Sequence, residues 1–145
     1  MKIDKFKQMI EEKVAQVQQG EVQARKDIAF EILYRIIYRT PVDTGNARSQ
    51  WNVGLEKNNT AIDNAIDPTG QEAVNRAQVV LDRMKSTDTR IFFTNALPYA
   101  WRLETGWSKQ APNGMVQVTL AEFPQLARQK LYVRLGGKGG AISGV

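Results

Sequence analysis

VDTGNARSQW, residues 42–51, is the stretch whose reading decides what this chain is. Asp43, Thr44 and Gly45 could be a turn that presents a carboxylate for acid–base chemistry. They could equally be a turn that starts a helix. The second reading uses more of the residues. Thr40 stands before Pro41 and is disfavoured in the helical region, so a preceding helix should end there. Asp43 or Thr44 can then cap the next turn by accepting a hydrogen bond from backbone N–H groups that lack helical partners. Gly45 lets the chain turn tightly, residues 46–50 make one helical turn, and Trp51 enters the core at the start of a strand.

The catalytic reading has a definite model, the Asp-Thr-Gly half-site of an aspartic protease. That chemistry needs two carboxylates sharing one proton, so a chain with one such motif would have to act as a dimer. In those enzymes the aspartate lies on a loop between strands, whereas Asp43 follows a long helical pattern and a proline. The Gly-rich flap and the second apolar-apolar-Gly strand are missing as well. A three-residue match is weak evidence by itself. Asp43 is therefore expected to be a helix cap, and the chain is not expected to be an enzyme.

Upstream, Ile3, Phe6, Ile10, Val14 and Val17 recur at spacings of three and four, one stripe of a helix over residues 2–19. Gly20 is expected to interrupt it. A second helix over 21–39 carries Val22, Ala29, Ile32, Leu33, Ile36 and Ile37 and is the better candidate for the central core helix. Downstream, Trp51, Val53 and Leu55 alternate as in a short strand, and residues 56–70 form a polar, Asn-rich loop closed by Pro68 and Gly70. A third helix is expected over 71–85, with Ala73, Ala77, Val80, Leu81 and Met84 inward. TRIFFT, residues 89–94, is the strongest strand pattern in the chain, broken by Asn95 and Pro98.

PYAWRLETG, residues 98–106, suits a short helix with Pro98 in the first turn and Gly106 as a left-handed cap. The last element is ambiguous. Residues 115–120 alternate like a strand, yet Val116, Leu120, Phe123, Ala127 and Leu131 share one helical stripe. The stripe favours a helix that Pro124 would kink at a cost of roughly 3 kcal/mol. Residues 1–135 should thus form a single α+β domain, about four helices packed on a small sheet of two to four short strands. The Gly-rich tail, residues 136–145, should be flexible before assembly.

Composition narrows the chemistry. At 145 residues with 42% hydrophobic and 24% charged residues, the chain has the make-up of one folded domain. No apolar run is long enough to span a bilayer, and the charged N-terminus is no signal peptide, so a soluble protein without a membrane role is expected. There is no cysteine and no histidine. Disulfides, the usual zinc sites and Ser-His or Cys-His pairs are excluded, and no metal or cofactor is expected. A net charge of +5, scattered among acids, fits a solvated surface better than a nucleic-acid site.

The remaining constellation is NALPYAWRLETGWSKQAPNGM, residues 95–115, where Tyr99, Trp101, Leu103 and Trp107 crowd beside Arg102, Glu104 and Lys109. It reads as core with a salt-bridged rim, or as a protein interface anchored by Trp, Tyr and Arg. The aromatic rings with nearby lysine could also stack bases, as in a small nucleic-acid-binding module, though no nucleic-acid motif accompanies them.

Taken together, TPVDTG-x-A with Trp51, a strand ending in Asn95, and LPYAWRLETGWSKQAPNGMV resemble the neck or tail-completion proteins of long-tailed bacteriophages. These are the minor tail protein Z-like, or type 1 neck, proteins. The resemblance covers about residues 28–128, and its more specific pieces are Tyr-Ala-x-x-Leu-Glu-x-Gly and SKQAPNGMV. By position the characteristic residues would be Pro41, Asp43, Thr44, Gly45 and Trp51, then Tyr99, Ala100, Leu103, Glu104 and Gly106, with Pro112 and Gly114 more loosely.

The resemblance implies a structural virion protein, assembled in the host cytoplasm as a homo-oligomeric ring at the head–tail junction. Its implied partners are copies of itself and other neck proteins, such as head-completion or connector and tail terminator proteins. DNA would pass through the ring without being read. The loop 56–70 and the tail 136–145 are expected to contact neighbouring subunits or partners. Pro124 falls inside the closing helix that the resemblance implies.

Overall fold

A computed structural model describes residues 2–43, 45–62 and 66–134, the last four in backbone only. Its elements, in chain order, are α1 (Lys2–Arg39), α2 (Asn46–Ser49), β1 (Trp51–Leu55), α3 (Gln71–Asp82), β2 (Ile91–Asn95), α4 (Ala100–Glu104), α5 (Val116–Ala121) and α6 (Phe123–Arg134). The fold is α+β, with six helices and one two-stranded antiparallel sheet among the described residues. Trp51 stands opposite Asn95, and Leu55 opposite Ile91.

The long helix departs from expectation. Gly20 does not interrupt it, and α1 runs unbroken for 38 residues, about 57 Å at 1.5 Å per residue. A helical glycine keeps its backbone hydrogen bonds and costs only about 1 kcal/mol relative to alanine. The two halves differ in burial. Ala24, Ala29, Ile32, Leu33, Ile36 and Ile37 are buried, while Ile3, Phe6, Ile10, Val14 and Val17 are exposed. At its far end α1 stops as the Thr40-Pro41 pair requires. Thr40 is fully buried, its N–H still reaches Ile36 O, and its hydroxyl donates to the same carbonyl at 2.7 Å.

The core lies among the second half of α1, α3, the inner side of the sheet, and α5 and α6. Leu33, Ile36, Ile37, Trp51, Val53, Ala77, Leu81, Met115 and Leu126 meet there. Two arginines lock it laterally. Arg48 of α2 donates to the carbonyls of Thr40 and Tyr38, which end α1, and so acts as a C-terminal cap. Arg76 of α3 donates to Ser49 O and Trp51 O, holding the entrance to β1.

The described residues of the loop after β1 are mostly exposed, as expected, but tied down. The loop backbone crosses directly over β1, so that a Cβ on Gly54 would meet Lys57 O at 2.0 Å. Asn52 donates to Ala61 O at 2.8 Å, and the Glu56 carboxylate accepts from the N–H groups of Thr89 and Arg90. Further on, the Asp67 carboxylate accepts from Thr69 N, Thr69 Oγ1 and Glu72 N at the start of α3. The Thr69 hydroxyl, then the Glu72 and Thr69 amides, hold the Asp67 carboxyl below its usual range.

The closing segment is two helices rather than one kinked helix. α5 ends at Ala121 with Glu122 as its C-cap, and α6 begins at Phe123, which puts Pro124 in a first turn, where its missing N–H leaves no bond unmade. The break also turns the expected stripe: Thr119 and Leu126 are buried, whereas Leu120 and Phe123 are exposed. Glu122 fixes the joint by pairing with Arg35 and Arg39 of α1. Burial pushes its carboxyl up, but the hydrogen bond and charge of Arg39 and the charge of Arg35 outweigh this and hold it below its usual range.

Candidate functional site

The residues singled out in the sequence fall into two segments, and the fold brings the two together. The first runs from Thr40 to Trp51. Pro41, Gly45 and Trp51 are buried, and the Trp51 indole N–H donates to the Thr40 hydroxyl at 2.8 Å. Asp43 lies exposed between two helices, not between strands. It does not cap α2. The N-cap position is Gly45 itself, in the left-handed region at φ 90°, with no side-chain cap bond. A Cβ there would also meet Pro68 Cα at 2.6 Å, so close packing demands glycine twice over. Thr44 and the tail 136–145 lie outside the described residues.

The second segment runs from Tyr99 to Met115. α4 is short and ends in a Schellman motif, with Trp107 N bonded to Arg102 O and Gly106 N to Leu103 O. Gly106 takes the left-handed position, φ 90°, as its sequence suggested. Glu104 has a role that no local pattern announces. Its carboxylate accepts from Met115 N at 3.0 Å, Val116 N at 2.8 Å and Gln117 N at 3.1 Å, capping α5 from across the loop. Arg102 is not its ion-pair partner among the described residues; the guanidinium lies over the Trp107 ring, 5.0 Å from its centroid.

The loop 107–114 packs onto α4 with no room to spare. A Cβ on Gly106 would meet Pro112 O, and one on Gly114 would meet Glu104 O, each at 2.4 Å. The glycines of the second segment thus allow its two runs to interlock.

Gln110 joins this unit to the first segment. It accepts from Val42 N and donates to Val42 O, both at 3.0 Å, a reciprocal amide pair across 68 positions of sequence. Asn95 adds a second tie by donating to Ala47 O at 2.8 Å. Between the segments opens a cleft of about 740 Å³ lined by Pro41, Val42, Asp43, Tyr99, Leu103 and Trp107, among others. Gln110, Arg48 and Arg76 escape sequence reasoning because each meets its partner only through the fold.

A second cleft of about 740 Å³ lies on another side of α4. Ile36, Trp51, Phe93, Leu97, Trp101 and Leu120 contribute to its largely apolar wall. Trp101 and Trp107 are 73% and 72% exposed, so this aromatic cluster is only partly core. No set of three potential metal ligands gathers among the described residues. None of the described helices is long and apolar enough to cross a membrane. Comparison with protein-family models, curated proteins and solved structures finds no match to this chain.

Proposed function

We propose that this chain is a structural protein of a tailed-phage virion, a head–tail joining or tail-completion subunit that works in a homo-oligomeric ring. What carries the reading is apolar surface left uncovered by the fold. The stripe on the first half of α1 is exposed along its length, and Trp101, Trp107, Leu120 and Phe123 are exposed on the body. Exposed apolar surface of this extent is what assembly partners cover. Tyr99, Leu103, Glu104, Gly106 and Gly114 fit the reading as a brace that holds the exposed tryptophans on a rigid frame, and Asp43 as part of a turn without catalytic duty.

The mild positive charge suits a ring through which DNA passes unread. No cofactor enters this function. The test is electron microscopy of the purified protein mixed with purified phage tails and heads. Density at the head-proximal end of the tail is expected. Absence of binding to tails and to heads, by a folded protein, would overturn the proposal.

A further inference from the structure

We propose that the first half of α1, residues 2–19, is an arm that docks in the apolar groove beside Trp101 on a second copy of this chain. This names the subunit contact within the assembly proposed above and rests on that reading. Ile3, Phe6, Met9, Ile10, Val14 and Val17 are between 46% and 80% exposed. Together they present on the order of 600 Å² of mostly apolar surface, the upper end of what a monomer's largest patch reaches. Anchors at spacings of three and four along one helix are the pattern read by a hydrophobic groove.

The groove offers the complementary half. It is bounded by α1, β2, α4 and α5, and Trp101 and Leu120 stand open at its mouth. Ile32 and Ile36, which line it, belong to α1 itself. That fact decides the occupant. Ile10 and Ile32 sit on one unbroken helix, about 33 Å apart along the axis at 1.5 Å per residue. A helical rod cannot fold back on itself, so arm and groove of one molecule never meet.

Each arm can reach only the groove of another copy. The contact joins two different surfaces, and every subunit both gives and receives an arm. Such head-to-tail contacts close into a ring when the rotation allows. The arm alone, on the order of 600 Å², approaches the roughly 800 Å² that each partner buries in a stable interface.

The test uses the full chain and two double variants, Phe6→Glu with Ile10→Glu in the arm and Trp101→Glu with Leu120→Glu in the groove. All four positions are exposed, so each variant should stay folded, which circular dichroism checks. Sedimentation velocity over a range of concentrations should show oligomers for the unmodified chain and only monomers for each variant. Mixing the two variants should restore a 1:1 dimer and nothing larger, because one keeps its groove and the other its arm.

Oligomers of the groove variant alone would overturn the proposal, since arms would then be pairing with arms. A monomeric unmodified chain at every concentration would also overturn it. Either result leaves the binding to tails and heads as a separate observation, so the contact can fail while the assembly role stands.

Discussion

Residues 24–39 and residues 2–19 lie on the same helix with the same apolar spacing, yet one set is sunk in the core and the other stands in solvent. Periodicity fixes which face of a helix is apolar. Whether that face is buried depends on an element opposite it. The second half of α1 has α3, the sheet, α5 and α6 to pack against, whereas the first half meets its own chain, among the described residues, only where Ala15, Gln18 and Gln19 come near Met84, Lys85 and Ser86.

Mutation can sharpen that contrast. Leu33→Ala removes a fully buried side chain and should destabilise the monomer by about 2–5 kcal/mol in urea denaturation. The same truncation at the other end, Ile10→Ala, should cost less than about 0.5 kcal/mol under conditions where the chain is monomeric. Equal losses at both positions would mean that the arm is buried in solution, and the comparison would collapse.

The interlocked loop should give effects of intermediate size. Gly114→Ala forces a Cβ against Glu104 O at a residue with φ 79°, and should cost roughly 1–3 kcal/mol. Glu104→Ala strips the cap from α5 and should cost about 1–2 kcal/mol, read as a lower melting temperature. If both variants melt with the unmodified chain, the loop does not brace α4 against α5.

Acid should act in the same direction. The Glu122 carboxyl has a lower pKa folded than unfolded, so its contribution is present above the unfolded value, about 4.3, and fades as pH falls through the folded one. Between those values the stability of the unmodified chain should decline with pH more steeply than that of Glu122→Gln. Parallel curves would show that the pair with Arg35 and Arg39 does not pin α6 to α1.

Much of the fold was legible in the residues because the signals were local. Trp51–Leu55 is the expected strand, β2 lies within two residues of TRIFFT, and α3 starts at Gln71 as anticipated. Gly106 caps α4 in the left-handed region. The errors share a cause. Gly20 does not break the helix, because its cost is small against the hydrogen bonds on either side. Asp43 has the right chemistry for a cap at the right place, yet Gly45, pressed by Pro68 and at φ 90°, takes that position. Pro124 suggested a kink and instead marks a new first turn.

What the sequence by itself determined is the set of elements, their apolar faces, and the exclusion of thiol and imidazole chemistry, since each follows from neighbouring residues or from composition. Tertiary structure alone decided the rest. It joined Gln110 to Val42, set Glu104 on the N-terminus of α5, laid the loop over Gly54, and left the first half of α1 uncovered. These outcomes depend on which distant groups meet. Hydrogen bonds and burial are made between partners, and no window of sequence contains both.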